Sequence, residues 1–353
     1  MEKIFNQNLK KSVAFLHFED GTKFKGLVNR ELNDSELKNG IWGEAAFTTG
    51  MSGYQETLTD PSFLGQHIIF TNAHIGNYEA NPNVCTAQSN RSFATCLIAR
   101  NFSYNECLNK LKIPLFSGCD TRSLVRYLVS KKAVTHKSVL TFNETTPSKA
   151  EFDKALLFTD ELQLVSQTQT IVHREGPNPI VILNYGIKQA IIDQLLVLGF
   201  PLVSVPHNTK AATVLSFNPR LIFLSNGPGD PRNYLTEIAV VKELLLANIP
   251  MRAICLGIQL IARALEIEVE KLPFGQRGAN HPVIDHTTNK ISITSQNHGY
   301  ALASKSFHQK KNDNLINREL FVQHTSLFDD SIESIASTDH FLKAVQYHPE
   351  ANP

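Results

Sequence analysis

Several things are missing from this 353-residue chain, and each absence narrows the field. Its five cysteines (Cys85, Cys96, Cys107, Cys119, Cys255) are odd in number and form no C-x-x-C pair. A disulfide framework and a structural zinc site are therefore not expected, and a reducing cytoplasm suits the composition. Neither sign of charge is in excess, with 34 Lys plus Arg against 33 Asp plus Glu. No basic field is available to hold nucleic acid, and no basic run would tether the chain to a membrane surface. The start, Met1-Glu-Lys-Ile-Phe5, lacks an apolar core of signal-peptide length. No apolar run approaches the roughly 20 residues of a membrane span, so no membrane partner is expected. There is no Gly-x-x-x-x-Gly-Lys-Ser/Thr loop and no evident metal-binding cluster, so neither ATP nor a metal is expected on this chain. No internal repeat is evident.

What is present falls into two parts. The length allows two domains. In the first, Val13–Phe18 reaches a turn at Asp20-Gly21 and Thr22–Val28 resumes an extended pattern, which predicts a hairpin. A Gly-, Thr- and Pro-rich loop is expected from Thr48 to Gly65. Asp120 followed by apolar residues at helical spacing predicts a capped helix over 120–128. Composition turns polar and proline-bearing between Gln163 and Pro179, as linkers do. Beyond it, strands are expected at Ile180–Asn184, Leu202–Val205 and Leu221–Leu224, with a fourth ending at Ala253–Cys255. Helices are expected over 187–198 and 234–247. Such alternation builds a parallel sheet flanked by helices, with ligands at the carboxyl ends of its strands. The polar stretch Lys305–Glu319 reads as a surface insertion.

The most informative residue is Cys255. An apolar run leads up to it, Gly257 follows, and apolar residues at helical spacing (Leu260, Ile261, Ala264, Leu265) continue. This is the strand, tight turn and helix on which enzymes mount an exposed nucleophile. The helix start behind the sulfur favours the reactive thiolate. Near the end of the sequence stands His348-Pro-Glu350, a base with a carboxylate that can orient it. Acyl transfer needs a nucleophile, an oriented base and oxyanion donors. Cys255, His348 and Glu350 fill the first two roles, and the backbone N–H groups of Leu256 and Gly227 are the expected donors. Pro228 has no N–H to give.

These motifs resemble the class I glutamine amidotransferases. The second half carries Phe223-Leu-Ser-Asn-Gly-Pro-Gly-Asp-Pro231, Ile254-Cys-Leu-Gly-Ile-Gln259, Gly278-Ala-Asn-His-Pro282, Gln296-Asn-His-Gly-Tyr300 and Gln346-Tyr-His-Pro-Glu-Ala351. The first half narrows the resemblance. Phe47-Thr-Thr-Gly-Met-Ser-Gly-Tyr-Gln-Glu-Thr-Leu-Thr-Asp-Pro-Ser62, His74-Ile-Gly-Asn77 and Asp120-Thr-Arg122 look like marks of the small, glutaminase chain of carbamoyl-phosphate synthetase.

The resemblance implies a mixed, β-rich α/β domain over 1–165, a linker over 166–178, and a class I amidotransferase domain over 179–353 that is C-terminally short. It implies glutamine hydrolysis through a cysteinyl thioester, in the cytoplasm. Ammonia would pass to a large synthetase chain, which uses bicarbonate, ATP and Mg2+ to make carbamoyl phosphate for arginine and pyrimidine synthesis. Carried over by position, L-glutamine would be held by Ser62, Gly227, Gly229, Leu256, Gln259, Asn297, Gly299 and Tyr300, with Ser62 bringing the first domain to the pocket.

Four departures from the family pattern stand out. Ala253 replaces a Gly two residues before the Cys, and its methyl is expected to strain the elbow. Ile258 replaces a His beside Gln259, which is expected to cost a polar group near the nucleophile. Gln276 stands where a His is common. His348 and Glu350 lie close to the last residue, Pro353, and are expected to fray. The alternative reading is a divergent or truncated paralogue with impaired glutaminase activity, acting as a binding or scaffold subunit.

Overall fold

Ala14, Leu16 and Phe18 alternate along the first strand and share one core, while Phe15 and His17 between them are buried on the other face, so the end of this strand is covered on both sides. The computed structural model describes residues 12–29, 33–77, 92–103, 108, 113–131, 136–155, 161–312 and 315–351; Cys85 and Cys107 lie outside them. The chain divides into two compact units, Met1–Thr159 and Asp160–Pro353.

In the first unit the strands are β1 (Ser12–Phe18), β2 (Lys23–Val28), β3 (Ile41–Thr48), β4 (Gln66–Phe70), β5 (His74–Ile75), β6 (Cys96–Ile98), β7 (Asn101–Phe102), β8 (Leu115–Ser117) and β9 (Lys137–Thr141). Seven of them close into a barrel in the order β1-β2-β8-β6-β4-β3-β9, and β5 pairs with β7. The expected hairpin is β1–β2. Its turn is set by Asp20, whose carboxylate accepts the Thr22 N–H at 2.9 Å, and by Gly21 at φ 85°. The predicted helix is Thr121–Lys131, and Asp120 caps it by accepting the Ser123 N–H at 3.0 Å. Its Leu124 and Leu128 join the barrel core.

The stretch Thr48–Gly65, expected as a loop, is structured. Gly53 at φ 76° opens a helix over Tyr54–Thr59, and a 3-10 turn follows over Pro61–Phe63. Asp60 accepts the Ser62 N–H at 2.9 Å between them. Tyr54, Leu58 and Phe63 are buried together, and their spacing outweighs the Gly and Thr content.

The second unit holds a ten-stranded sheet made of β10 (Ile171–Arg174), β11 (Ile180–Asn184), β12 (Leu202–Pro206), β13 (Leu221–Leu224), β14 (Met251–Ile254), β15 (Val269–Asp285), β16 (Lys290–Leu302), β17 (Leu320–Ser326), β18 (Ile332–Ser337) and β19 (Leu342–Val345). The order is β10-β12-β11-β13-β14-β19-β18-β16-β15-β17. Its centre, β12-β11-β13-β14-β19, is parallel. Val181 and Leu183 face one apolar core while Ile180 and Ile182 face the other, as a strand covered on both sides requires. The predicted helices form over Gln189–Val197 and Leu235–Leu246.

Two expectations change here. Residues 166–178, expected as a linker, include β10, which pairs antiparallel with the open edge of β12 through Ile171 and Val172. The span 305–319, expected as a polar surface insertion, includes most of the helix Ser304–Lys310, whose Phe307 is fully buried in the core. Among the described residues no helix is long and apolar enough to cross a membrane.

Candidate active site

Strands β13, β14 and β19 are neighbours and parallel, so their carboxyl ends open on one edge. The Ser225–Gly229 segment follows β13, Cys255 follows β14 and Gln346–Glu350 follow β19. Topology alone therefore brings three segments distant in sequence to one place.

Cys255 caps the helix Leu256–Ala264 with φ 53° and ψ −107°, a conformation a side-chain-bearing residue rarely adopts. Its N–H donates to the Val345 carbonyl at 2.9 Å, which ties the elbow to β19. The thiol donates to the Asn297 carbonyl at 3.6 Å. Gly257 is needed because a Cβ there would lie 2.5 Å from the Leu224 carbonyl oxygen and 3.0 Å from the Ala253 methyl. Ala253 is buried in the core on β14, so its methyl is an ordinary packing group.

His348 is buried. Its backbone N–H donates to the Ser295 carbonyl at 2.9 Å, and its Nδ1 lies 2.7 Å from Glu350 Oε1. Since an ionised carboxylate only accepts, Nδ1 carries the hydrogen, which leaves Nε2 as the basic nitrogen of the neutral ring. Nε2 has no hydrogen-bond partner of good geometry among the described residues. The Cys255 thiol is close enough to the ring to affect its titration. Burial and the Lys188 charge oppose protonation, but Glu350 and the thiol prevail, so the imidazole pKa is raised above its ordinary value. Burial opposes ionisation of Glu350, and the His348 and Lys188 charges overcome it, so that pKa is lowered. The expected fraying is not found. Glu350 is also buried, and its carbonyl accepts from Gln194 Nε2 at 3.3 Å.

Lys188 was not among the residues singled out by sequence. Its Nζ lies 3.2 Å from His348 Nδ1 and 3.3 Å from Glu350 Oε1. It is carried by the turn after β11, where Asn184 Oδ1 accepts the Gly186 and Ile187 N–H groups and Asn226 Oδ1 accepts that of Lys188. Its position just past the carboxyl end of β11, a strand of the parallel centre, was the available signal.

The other expected residues divide. Gln259 Nε2 donates to the Tyr300 carbonyl at 3.2 Å and to Gln346 Oε1 at 3.1 Å, so its amide nitrogen braces the site. A Cβ on Gly227 would collide with the Tyr185 carbonyl oxygen and lie 2.8 Å from Leu256 Cδ2, so this loop packs against the start of the Cys255 helix. Gly229, at φ 88°, leaves room for the Tyr234 hydroxyl. Asn297, Gly299 and Tyr300 follow one another on β16, and Arg232 and Lys271 both lie over the Tyr300 ring. Ser62 belongs to the first unit, buried in its 3-10 turn. Ile258 points into the apolar core, so no polar contact at the sulfur is lost through it. Gln276 is buried and donates to Asp329 Oδ2 at 2.8 Å. Among the described residues no group of three His, Cys, Asp or Glu is arranged to hold a metal ion.

The chain is similar to known proteins in both of its units. The family described as glutamine amidotransferase class-I matches residues 181–353. The carbamoyl-phosphate synthase small chain, CPSase domain, matches residues 16–137. The carbamoyl phosphate synthase small chain of Caldanaerobacter subterraneus is 38% identical over 350 residues, covering 96% of this chain and 92% of the relative. That of Listeria monocytogenes is 36% identical over 351 residues, with the same coverage of both. A pyrimidine-specific small chain from Halalkalibacterium halodurans is 36% identical over 348 residues, again covering 96% and 92%. With both halves matched and relatives similar along almost the whole length, the chain belongs to the carbamoyl-phosphate synthase small chain family.

Proposed function

We propose that this chain is the glutaminase subunit of a glutamine-hydrolysing carbamoyl-phosphate synthase. The observation that carries the reading is His348, held by Glu350 through Nδ1 with Nε2 left for the Cys255 thiol. Cys255 Sγ attacks the side-chain carbonyl carbon of L-glutamine while His348 takes the thiol proton. The tetrahedral oxyanion is met by the N–H groups of Leu256 and Gly227. His348 then returns the proton to the leaving amine, ammonia departs and a cysteinyl thioester remains. Water, deprotonated by His348, attacks the thioester; glutamate leaves and the thiol is restored. Glu350 keeps the ring in the required tautomer and stabilises its charged form.

Glutamine is a free amino acid, so its ammonium needs acceptors and its carboxylate needs donors. The amide oxygen of Gln259, the loop glycines Gly227 and Gly229, and the segment Asn297–Tyr300 are the groups proposed to supply them. The ammonia is used by a large synthetase chain that binds bicarbonate, ATP and Mg2+, and its carbamoyl phosphate serves arginine and pyrimidine synthesis. A reducing cytoplasm suits a reaction that depends on a free thiol.

The test is glutamate release from glutamine by the purified chain, with and without the large chain. Cys255→Ala is expected to abolish it and to spare carbamoyl phosphate formation from added ammonia. Loss of both routes together would place the role of Cys255 elsewhere.

A further inference from the structure

Behind the nucleophile lies a buried polar chain that the mechanism above does not use. His298 Nδ1 is 2.9 Å from the Tyr300 carbonyl, and His298 Nε2 is 3.0 Å from the Gln296 side-chain amide. The other end of that amide lies 2.8 Å from Glu333 Oε2. All three side chains are buried, and Glu333 is fully so. These are three contacts in series between two groups that only accept, a backbone carbonyl and a carboxylate. A neutral imidazole offers one N–H along this line and the amide offers one more, whichever way it is turned. The end of the amide that faces Glu333 also lies 3.1 Å from Thr294 Oγ1, a hydroxyl that accepts from the amide nitrogen or donates to the amide oxygen when the amide is turned to receive from Glu333. Three contacts and two hydrogens leave one pair of lone pairs facing each other in a dry interior, an arrangement that costs as much as an unmade buried hydrogen bond.

We propose that Glu333 is a positioning residue of the glutaminase reaction: it carries one buried proton that completes this chain and thereby fixes the strand segment lying over Cys255. The alternative place for the hydrogen is an imidazolium at His298. The surroundings disfavour the charge separation this requires. Arg277, His281 and His348 bear on His298 as further positive or potentially positive groups, while Asp329 bears on Glu333 as a negative one. Burial pushes Glu333 up to about 7 and His298 down to about 3, as a neutral acid beside a neutral ring demands. Tyr347, which packs near Glu333, is itself raised, by burial first and then by that carboxyl, to about 12 and stays neutral. On the other carboxylate oxygen, Ser331 lies 3.3 Å away but has its hydroxyl hydrogen committed to Asp329 Oδ1 at 2.7 Å, so it supplies no substitute.

The chain reaches the nucleophile by two routes. Gln296 and His298 flank Asn297, whose carbonyl accepts the Cys255 thiol. The Tyr300 carbonyl, which receives His298, also receives Gln259 from the helix that Cys255 begins. In addition, the Glu333 carbonyl accepts the Gln346 N–H at 2.8 Å, two residues before His348.

The proposal rests on the glutaminase reading, and one arm of its test does not. Glu333→Gln puts a hydrogen-bearing amide where the acid stands and supplies the third hydrogen without a proton. Glu333→Leu supplies none. Thermal midpoints of the full chain are compared at about pH 6 and about pH 8.5, where unfolded Glu333 is ionised and the folded chain must give up its proton as pH rises. The midpoint of Glu333→Gln relative to wild type is expected to rise by several degrees between the two. An equal difference at both pH values would overturn the proposal whether or not glutamine is hydrolysed. In turnover, wild-type KM for glutamine is expected to climb as pH rises past about 7, with Glu333→Gln staying flat. Glu333→Leu is expected to raise KM roughly tenfold at every pH. Should Glu333→Leu not fold, the Glu333→Gln comparison still decides. A Glu333→Gln variant whose KM climbs with pH as steeply as that of the wild type would reject the role.

Discussion

Lys188 Nζ stands 3.3 Å from Glu350 Oε1, the same oxygen that holds His348 Nδ1. The lysine thus adds a positive charge to the pair that governs the base. It lowers the pKa of both partners, working with His348 on Glu350 and against Glu350 on His348. Lys188→Met removes that opposition, so His348 should hold its proton to higher pH. The acid limb of kcat/KM, where activity rises as His348 loses its proton, should move up by about one pH unit, and the rate at neutral pH should fall roughly tenfold as the neutral base becomes scarcer. A pH profile of glutamate release measures both. An unmoved acid limb would show that the lysine acts only by packing.

Glu350 titrates in the opposite sense. Its folded pKa lies below its ordinary 4.5, so the stability it contributes is present above about that pH and is lost as pH falls further. Glu350→Gln should therefore destabilise the chain at neutral pH and lose most of that effect in acid, as denaturant titrations at the two conditions would reveal. Its amide also presents a donor to Nδ1, which favours the wrong tautomer. A loss in kcat of at least about a hundredfold is expected, by analogy with triads in which the carboxylate is replaced by an amide.

The elbow makes a paired prediction. Gly257→Ala drives a methyl against the Leu224 carbonyl and the Ala253 methyl, and backbone on that side has nowhere to go. A stability loss of about 2 kcal/mol or more is expected by thermal unfolding, with glutamate release lost alongside. Ala253→Gly, by contrast, removes a methyl that already fits. It should leave kcat within about threefold and cost about 1 kcal/mol through chain flexibility. A large activity gain from Ala253→Gly would restore the view that the methyl strains the turn.

Gly227→Ala is expected to be as severe as Gly257→Ala for a different reason. The new methyl meets the Tyr185 carbonyl, so the loop must withdraw from the start of the Cys255 helix. Because the N–H of Gly227 is a proposed oxyanion donor, kcat should fall by about a hundredfold or more. Circular dichroism would show whether the fold survives the change.

The parallel half of the second unit was legible because its strands are covered on both faces. Runs such as Ile180–Asn184 and Leu221–Leu224 are apolar throughout, and glycine-bearing turns mark their carboxyl ends. The Cys255 elbow and His348-Pro-Glu350 followed from the same logic. Closure of the first-unit barrel was not legible, since β1 and β3 both pair with β9, over a hundred residues of β1 and about ninety of β3 away, and no local pattern carries that information. Lys188 escaped notice because a single lysine in a turn looks like any solvated side chain until the fold buries it. Ile258 misled by its place next to Gln259: adjacent residues on a helix point about 100° apart, so one faces the core while the next reaches the site.

Holding the sulfur at φ 53° has a cost that falls on folding rather than on turnover. Glycine adopts this backbone freely, so Cys255→Gly should relieve about 1 kcal/mol of backbone strain. Sturdiness and reactivity therefore pull apart at this single position. A screen that rewarded only heat resistance would be drawn toward the change that leaves a well-folded shell unable to touch its amide.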